Sequence, residues 1–249
     1  MDRAFFASLS NGARGAIAIE LEKGLSAENK EAGGYDPVTE ADRASERFLR
    51  QKIEENYPKH GIWGEEYGAV RENAAVQWSL DPVDGTRALV CGLSSWTVLV
   101  GLLVNGEHVA GMIDLPALDE TLIAVDGVTE RNGVATRTSG CERLAEARLA
   151  TTDPYLFADP APFDRVREAA RLTRYGLDAL AYARVATGDL DLVIESGLKR
   201  HDYDALVAVI RGAGGVIGNW SGGSDLGDGT VVAAASQKLY DEAVELLAE

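Results

Sequence analysis

Apolar positions recur at helical spacing from the start of the chain: Phe5, Leu9, Ala13 and Ala16, with Glu20 closing the series, predict a helix over the first twenty or so residues. The polar stretch SAENKEAGGYDP carries Gly33, Gly34 and Pro37 and predicts a loop. Ala41, Ala44, Phe48 and Ile53 predict a second helix from Thr39 to Asn56, stopped by Tyr57-Pro58. After HGIWGEEYG the pattern changes to short apolar runs. VQWSL, WTVLVGLLV, HVAGMIDL and ETLIAV predict strands, and Asn105-Gly106 between the second and third predicts a tight hairpin. This half reads as helices on an antiparallel sheet.

From about Ala147 strands and helices alternate. ARLATT predicts a strand, FDRVREAARL and LDALAYARVATG predict helices, and LDLVIES a strand. YDALVAVIRGAGG predicts a helix closed by glycines, GVIGNW and TVVAAA strands, and KLYDEAVELLA a last helix. Such alternation implies a second sheet covered by helices. No proline- or serine-rich linker interrupts the chain, so residues 1–249 predict one compact unit with two lobes, an α+β lobe over 1–140 and an α/β lobe over 141–249.

Composition narrows the chemistry. A hydrophobic share of 46% excludes a disordered chain. The formal charge of -16, from 40 acidic and 24 basic residues, disfavours nucleic acid and anionic membranes as partners. Such a protein needs a bridging cation to handle an anionic substrate. Cys91 and Cys141 make no disulfide framework or metal knuckle, and a cytoplasmic location is expected. MDRAFFASLSNGARG lacks the apolar core and processing site of a signal peptide. The longest apolar run, Trp96 to Val104, is strand-sized.

The candidate chemistry centres on WSLDPVDGTRAL. Asp81 is expected at a strand end and Pro82 fixes the next φ. Residues i and i+3 of a tight turn come close, so Asp81 and Asp84 can address one point, with the Val83 carbonyl between them. One aspartate there reads as an Asp-Pro turn. Two repel unless a cation separates them. The donors on offer, with the Thr86 hydroxyl, are all oxygens, which suits Mg2+, Mn2+ or Ca2+ over Zn2+. The chain lacks the later glutamate of a twelve-residue calcium loop, leaving Mg2+. Gly85 and Thr86 are expected to open a helix whose free N–H groups suit a phosphate. Other carboxylates have plain structural readings beside functional ones. Glu65, next to Glu66, could be simply solvated. Asp202 could cap the helix it precedes, and Asp42, three residues after Thr39, fits a capping box.

GEE, LDPVDGT and HDYDAL…GAGG occur in the order and approximate spacing of the inositol monophosphatase-like family of Mg2+-dependent, lithium-sensitive phosphatases, which the chain resembles from about Lys30 to Gly215. His201 departs from the tryptophan common before the last metal-binding aspartate. The resemblance implies a layered αβαβα sugar-phosphatase fold, two sheets sandwiched by helices, with most metal ligands in the first lobe. It implies Glu65 and Asp81 on a first metal with the Val83 carbonyl, and Asp81, Asp84 and Asp202 on a second. It implies phosphate binding by Gly85 and Thr86, water positioning or activation by Thr86 with Asp42, with Glu65 also counted among the catalytic residues, and Lys30 in a loop that closes over a third metal. Two or three Mg2+ ions, Mn2+ as a substitute, Li+ as an inhibitor and a homodimer follow from it too. Other phosphatase plans fit less well: the spacing is D-x-x-D in mid-chain rather than an N-terminal D-x-D, and Cys91 has no arginine in Cys-x5-Arg range.

The substrate is expected to be a small phosphate monoester. RYG, AY and GLK before Asp202, with HGIWGEE, resemble the histidinol-phosphate phosphatase branch, which serves histidine biosynthesis. Histidinol carries an ammonium group and an imidazole, so Asp178 and Glu195 become candidates for its pocket. Their plain readings are a helix N-terminal charge and an exposed strand end. Inositol monophosphate, then a broad range of sugar or nucleotide phosphates, are the alternatives. A metal-binding regulatory relative without catalysis is the reading from another class.

Overall fold

The computed structural model describes residues 2–29 and 37–249; Lys30, expected in a closing loop, lies outside them. Helix α1 (Arg3–Glu22) starts at Asp2, whose carboxylate accepts from the Phe5 N–H at 2.8 Å. Two three-residue strands stand where a plain loop is expected. They are β1 (Ala27–Asn29) and β2 (Pro37–Thr39), paired antiparallel ahead of α2 (Glu40–Asn56).

The chain then builds an eight-stranded sheet from β3 (Gly61–Gly64), β4 (Gly68–Val70), β5 (Val76–Asp84), and, after the short helix α3 (Thr86–Val90), β6 (Thr97–Val104), β7 (Glu107–Leu115), β8 (Glu120–Val125), β9 (Val128–Arg131) and β10 (Val134–Ala135). The spatial order is β10-β9-β8-β7-β6-β5-β3-β4. Asn105 and Gly106, both at positive φ, make the two-residue hairpin expected between β6 and β7. The sheet is not wholly antiparallel as expected: β5 runs parallel to β3. The intervening strand β4 runs antiparallel to β3, and a second reversal after it brings β5 in on the other side of β3 in the same direction as β3.

The second sheet contains β11 (Arg148–Thr151), β12 (Leu172–Tyr175), β13 (Leu192–Glu195), β14 (Val216–Gly218) and β15 (Val231–Ala234) in the order β12-β11-β13-β15-β14. Between them lie α4 (Ala161–Ala169), α5 (Ala179–Ala186) and α6 (Arg200–Gly212), and α7 (Gln237–Ala248) closes the described chain. The helix expected to run to Leu172 stops at Ala169, and Leu172 starts an edge strand. Leu172, Arg174 and Tyr175 are exposed there, so no buried alternation marks that strand in sequence.

The five layers are those of the αβαβα arrangement. α1 and α2 cover one face of the large sheet over Trp78, Leu80, Val98, Val100 and Met112. The alternate residues Leu99, Ile113 and Leu122 face α5 and α6, whose far sides meet Val193 and Ala233 of the second sheet. α4 and α7 close the outer face over Leu192 and Val232.

One contact sets the depth of α6. Gly101 and Gly111 are register partners on β6 and β7, and α6 lies across them. A Cβ on Gly101 would sit 2.9 Å from the Ala205 backbone nitrogen, and one on Gly111 would run into the Ala205 carbonyl oxygen. Buried Asp204 ties the same turn down: Arg200 Nε and His108 Nε2 each lie 2.7 Å from its carboxylate, and Arg200 also reaches Gln77 Oε1 at 2.7 Å. Gly111→Ala is therefore expected to destabilise the protein by about 1–3 kcal/mol in a denaturant titration, because backbone cannot rotate out of the way. Gly15→Ala, in α1 with open space around it, should instead stabilise by about 0.5–1 kcal/mol. Loss of stability in both would remove the helix seat as the cause.

Candidate active site

β5 carries the centre of the site. In a regular strand Asp81 and Asp84, an odd number apart, would face opposite sides. Here Asp81 pairs with Leu99 and Asp84 with Thr97, so three steps on β5 match two on β6. That bulge turns both carboxylates to one side. The strand thus runs through Asp84 rather than ending at Asp81. Asp81 Oδ1 accepts from the Val83 N–H at 3.1 Å, the Asx turn that its Asp-Pro context predicts. Asp84 Oδ2 accepts from Thr97 Oγ1 at 3.2 Å and from the Ala179 N–H at 2.8 Å. Gly85 follows with φ 77°, and a Cβ there would lie 3.0 Å from Asp178 Oδ2, so only glycine fits the turn into α3.

Thr86 opens α3. Its Oγ1 stands 2.9 Å from the Val83 carbonyl oxygen and 3.0 Å from Asp42 Oδ1. Asp42 also caps α2, since its Oδ2 accepts from the Thr39 N–H at 2.9 Å and the Thr39 hydroxyl at 2.5 Å. The capping and functional readings of Asp42 are therefore compatible, one oxygen for each. Burial raises the Asp42 carboxyl above its ordinary range, against the pull of its hydrogen bonds from Thr39 and Thr86.

Asp202 comes from the first turn of α6. It is not the N-cap, which is Lys199; its Oδ2 accepts from the Lys199 N–H at 2.6 Å. Asp81, Asp84 and Asp202 each offer an oxygen, and the three lie within 4.8 Å of one another. Glu65, just past β3, lines the same cleft and adds its charge to Asp81 and Asp202. The cleft is about 400 Å³ and is also lined by Val83, Gly85, Thr86, His201 and Lys199. Burial first, and then neighbouring anions, hold the Asp81 and Asp84 carboxyls well above their ordinary range. Burial raises Asp202 as well, opposed by nearby His201 and Lys199. Anions so crowded, with hard oxygen donors and no sulfur among them, suit a divalent cation such as Mg2+.

Asp178 and Glu195 also line the cleft, Asp178 beside Asp84 and Gly85. Asp178 occupies the N-cap position of α5 at φ 48°, and burial pushes it up to about 6 against the pull of Arg87. Glu195 is not an exposed strand end but 2% exposed, accepting from the Thr152 N–H at 2.7 Å, Thr152 Oγ1 at 2.9 Å and Thr151 Oγ1 at 3.3 Å. Burial drives it to about 7, the threonine bonds pulling the other way. Tyr182, one turn beyond Asp178 on α5, completes this wall. Nothing in the local sequence marks Thr152. The one signal for Tyr182 is a large polar aromatic in the small-residue run ALAYARVA.

The profile of the Inositol monophosphatase family matches residues 3–249. The chain belongs to the inositol monophosphatase family. Within that family it is 41% identical over 225 residues to the bifunctional phosphatase IMPL2, chloroplastic, of Arabidopsis thaliana, covering 85% of this chain but only 65% of that protein's length. It is 31% identical over 207 residues to a histidinol-phosphatase of Chlorobaculum parvum, covering 82% of this chain and 80% of that one. Other relatives, including one from Haemophilus influenzae at 33% identity over 234 residues, bear the name Nus factor SuhB. An inositol monophosphatase from Zymomonas mobilis superposes with a TM-score of 0.84 at 34% identity, over 97% of both chains. Family membership makes the chain a phosphatase with a small phosphate ester as its substrate. Among the described residues, no helix is long and apolar enough to cross a membrane.

Proposed function

We propose that this protein is a Mg2+-dependent phosphomonoesterase whose substrate is histidinol phosphate. The convergence of Asp81, Asp84 and Asp202 on one point supports the metal dependence. Those three residues, with Glu65 and the Val83 carbonyl, would hold the ions. A bound Mg2+ supplies Lewis-acid neutralisation of phosphate charge and lowers the pKa of a coordinated water. The chain's own groups do the rest. The first N–H groups of α3, at Gly85 and Thr86, face no earlier turn of helix and are available to phosphate oxygens. Thr86 would orient the attacking water and accept its proton as the Thr86 hydroxyl proton passes to Asp42 Oδ1, 3.0 Å away.

The observation that carries the substrate is the acidic wall. Asp178 and Glu195 line the same cleft as the metal-ligand oxygens, Asp178 beside Asp84 and Gly85, and we place the alcohol part of the phosphate ester against them. Two buried carboxyls there suit the ammonium and imidazole of histidinol better than a neutral polyol. Histidinol-phosphatases among the relatives agree with this reading. Inositol monophosphate is the second reading, favoured by the likeness to the Zymomonas enzyme. A regulatory role without catalysis is the third, favoured by the relatives named as Nus factors.

Phosphate release from a panel of monoesters, with and without Mg2+, separates the three. Histidinol phosphate should be turned over fastest; inositol monophosphate in first place, or no Mg2+-dependent release from any ester, would overturn the proposal. Within the same panel, Asp178→Asn should lower kcat/KM for histidinol phosphate by about tenfold relative to glycerol phosphate, the cost of one desolvated charge-assisted contact. An equal loss on both esters would place Asp178 with the metal cluster instead.

A further inference from the structure

Among the described residues, few buried side-chain polar atoms lack a hydrogen-bond partner, and one of them is the hydroxyl of Tyr182, a residue that lines the cleft. Tyr182 is 2% exposed, so its ring is fixed by packing on the α5 and α6 core while its oxygen remains unpaired. A buried hydroxyl without a partner is costly, and folded proteins rarely keep one unless something else uses it. The charged groups nearest in effect are Glu195, Asp84 and Asp202, from β13, β5 and α6. Burial first, and then these anions, hold the phenol well above its ordinary range, so it stays protonated and neutral. Asp178, the N-cap residue of α5, lines the same cleft as Tyr182.

We propose that the Tyr182 hydroxyl is a specificity-determining contact that accepts an N–H from the ammonium group of the substrate's alcohol portion. This rests on the histidinol phosphate reading above. The chemistry of the wall favours a cation. A ligand ammonium has three N–H donors and needs three acceptors. Asp178 and Glu195 provide two carboxylates, but Glu195 already spends hydrogen-bonding capacity on Thr151 and Thr152. A third anion would deepen the repulsion already present around Asp84 and Asp202. A phenol oxygen supplies the third acceptor without adding charge.

The test is Tyr182→Phe, which removes the hydroxyl and keeps the ring. With Mg2+ present, the variant should raise KM for histidinol phosphate, with kcat changed much less. The ratio of kcat/KM for histidinol phosphate over glycerol phosphate should fall by about tenfold. Thermal melting should show the variant no less stable than the parent, because an unpaired buried group has been removed. A purely structural hydroxyl, bridged to the carboxylates through water, would instead lower the melting temperature and leave the substrate ratio unchanged, and that result overturns the proposal. Loss of kcat on both esters alike also overturns it, since the hydroxyl would then serve the metal cluster. If the parent protein itself prefers inositol monophosphate, the substrate reading fails and the ammonium contact fails with it. If the parent prefers histidinol phosphate but Tyr182→Phe leaves the ratio intact, only the role of Tyr182 is lost.

Discussion

Asp84→Asn is expected to abolish phosphate release while leaving the metal-free protein at least as stable as the parent. The two effects have one cause. Asp84 shares a 4.8 Å cluster with Asp81 and Asp202, and burial holds all three carboxyls above their ordinary range, reinforced by neighbouring anions at Asp81 and Asp84. A carboxyl whose pKa is raised on folding binds more protons in the folded state. Its contribution to stability is therefore fully present below its unfolded pKa, near 4, and is lost as the pH rises through the folded value. In the presence of a chelator, the parent should melt at a lower temperature at pH 8 than at pH 5. Asp84→Asn should flatten that dependence, and Mg2+ should stabilise the variant less than the parent. Activity moves the other way. Losing metal-borne charge stabilisation worth several kcal/mol lowers turnover about a thousandfold or more. A variant that keeps full Mg2+-dependent turnover, or that unfolds without metal at neutral pH, would contradict the assignment.

Thr86→Ala should lower kcat by about a hundredfold or more, the scale of positioned proton transfer, with KM within a few-fold of the parent. The reason is that Thr86 Oγ1 sits between the Val83 carbonyl and Asp42, and its contact matters only once a water is being aligned for attack. The Thr39–Asp42 cap is untouched by this change, so α2 should hold and the melting temperature should hardly move. Thr86→Ser restores the hydroxyl and should recover most of kcat. Asp42→Asn is a harsher test, because it disturbs the cap and costs about 1 kcal/mol of stability as well. An unchanged kcat in Thr86→Ala would return both residues to capping alone.

The centre of the site was legible because its signals are local. Asp81, Asp84, Gly85 and Thr86 lie within six residues, and Asp-Pro and Gly constrain the backbone there before any tertiary contact forms. The hairpin at Asn105-Gly106 was legible for the same reason. The bulge between Asp81 and Asp84 was not, because it is defined by the partner strand β6. Burial was hidden too. Glu195 reads as a strand-end acid, yet it is sealed by Thr151 and Thr152, more than forty residues earlier in the chain. The short strands β1, wholly exposed, β2, wholly buried, and β12, mostly exposed, show no alternation, so no period of two announces them. Tyr182 has no sequence signature beyond its size, since an unpaired hydroxyl is a property of surroundings assembled from several elements.

The glycine notch under α6 gives the site a mechanical lever. Asp202 rides on a helix whose height above the large sheet is fixed by main chain against main chain at Gly101, Gly111 and Ala205. Side chains in a contact can re-pack, but peptide groups in a contact cannot, so the helix has no soft setting. A methyl group added at the notch would lift the Asp202 carboxylate away from Asp81 and Asp84 without altering any acid in the cluster. Affinity for a cation held there would thus respond to positions on the α6-facing side of the sheet that no ion or substrate touches.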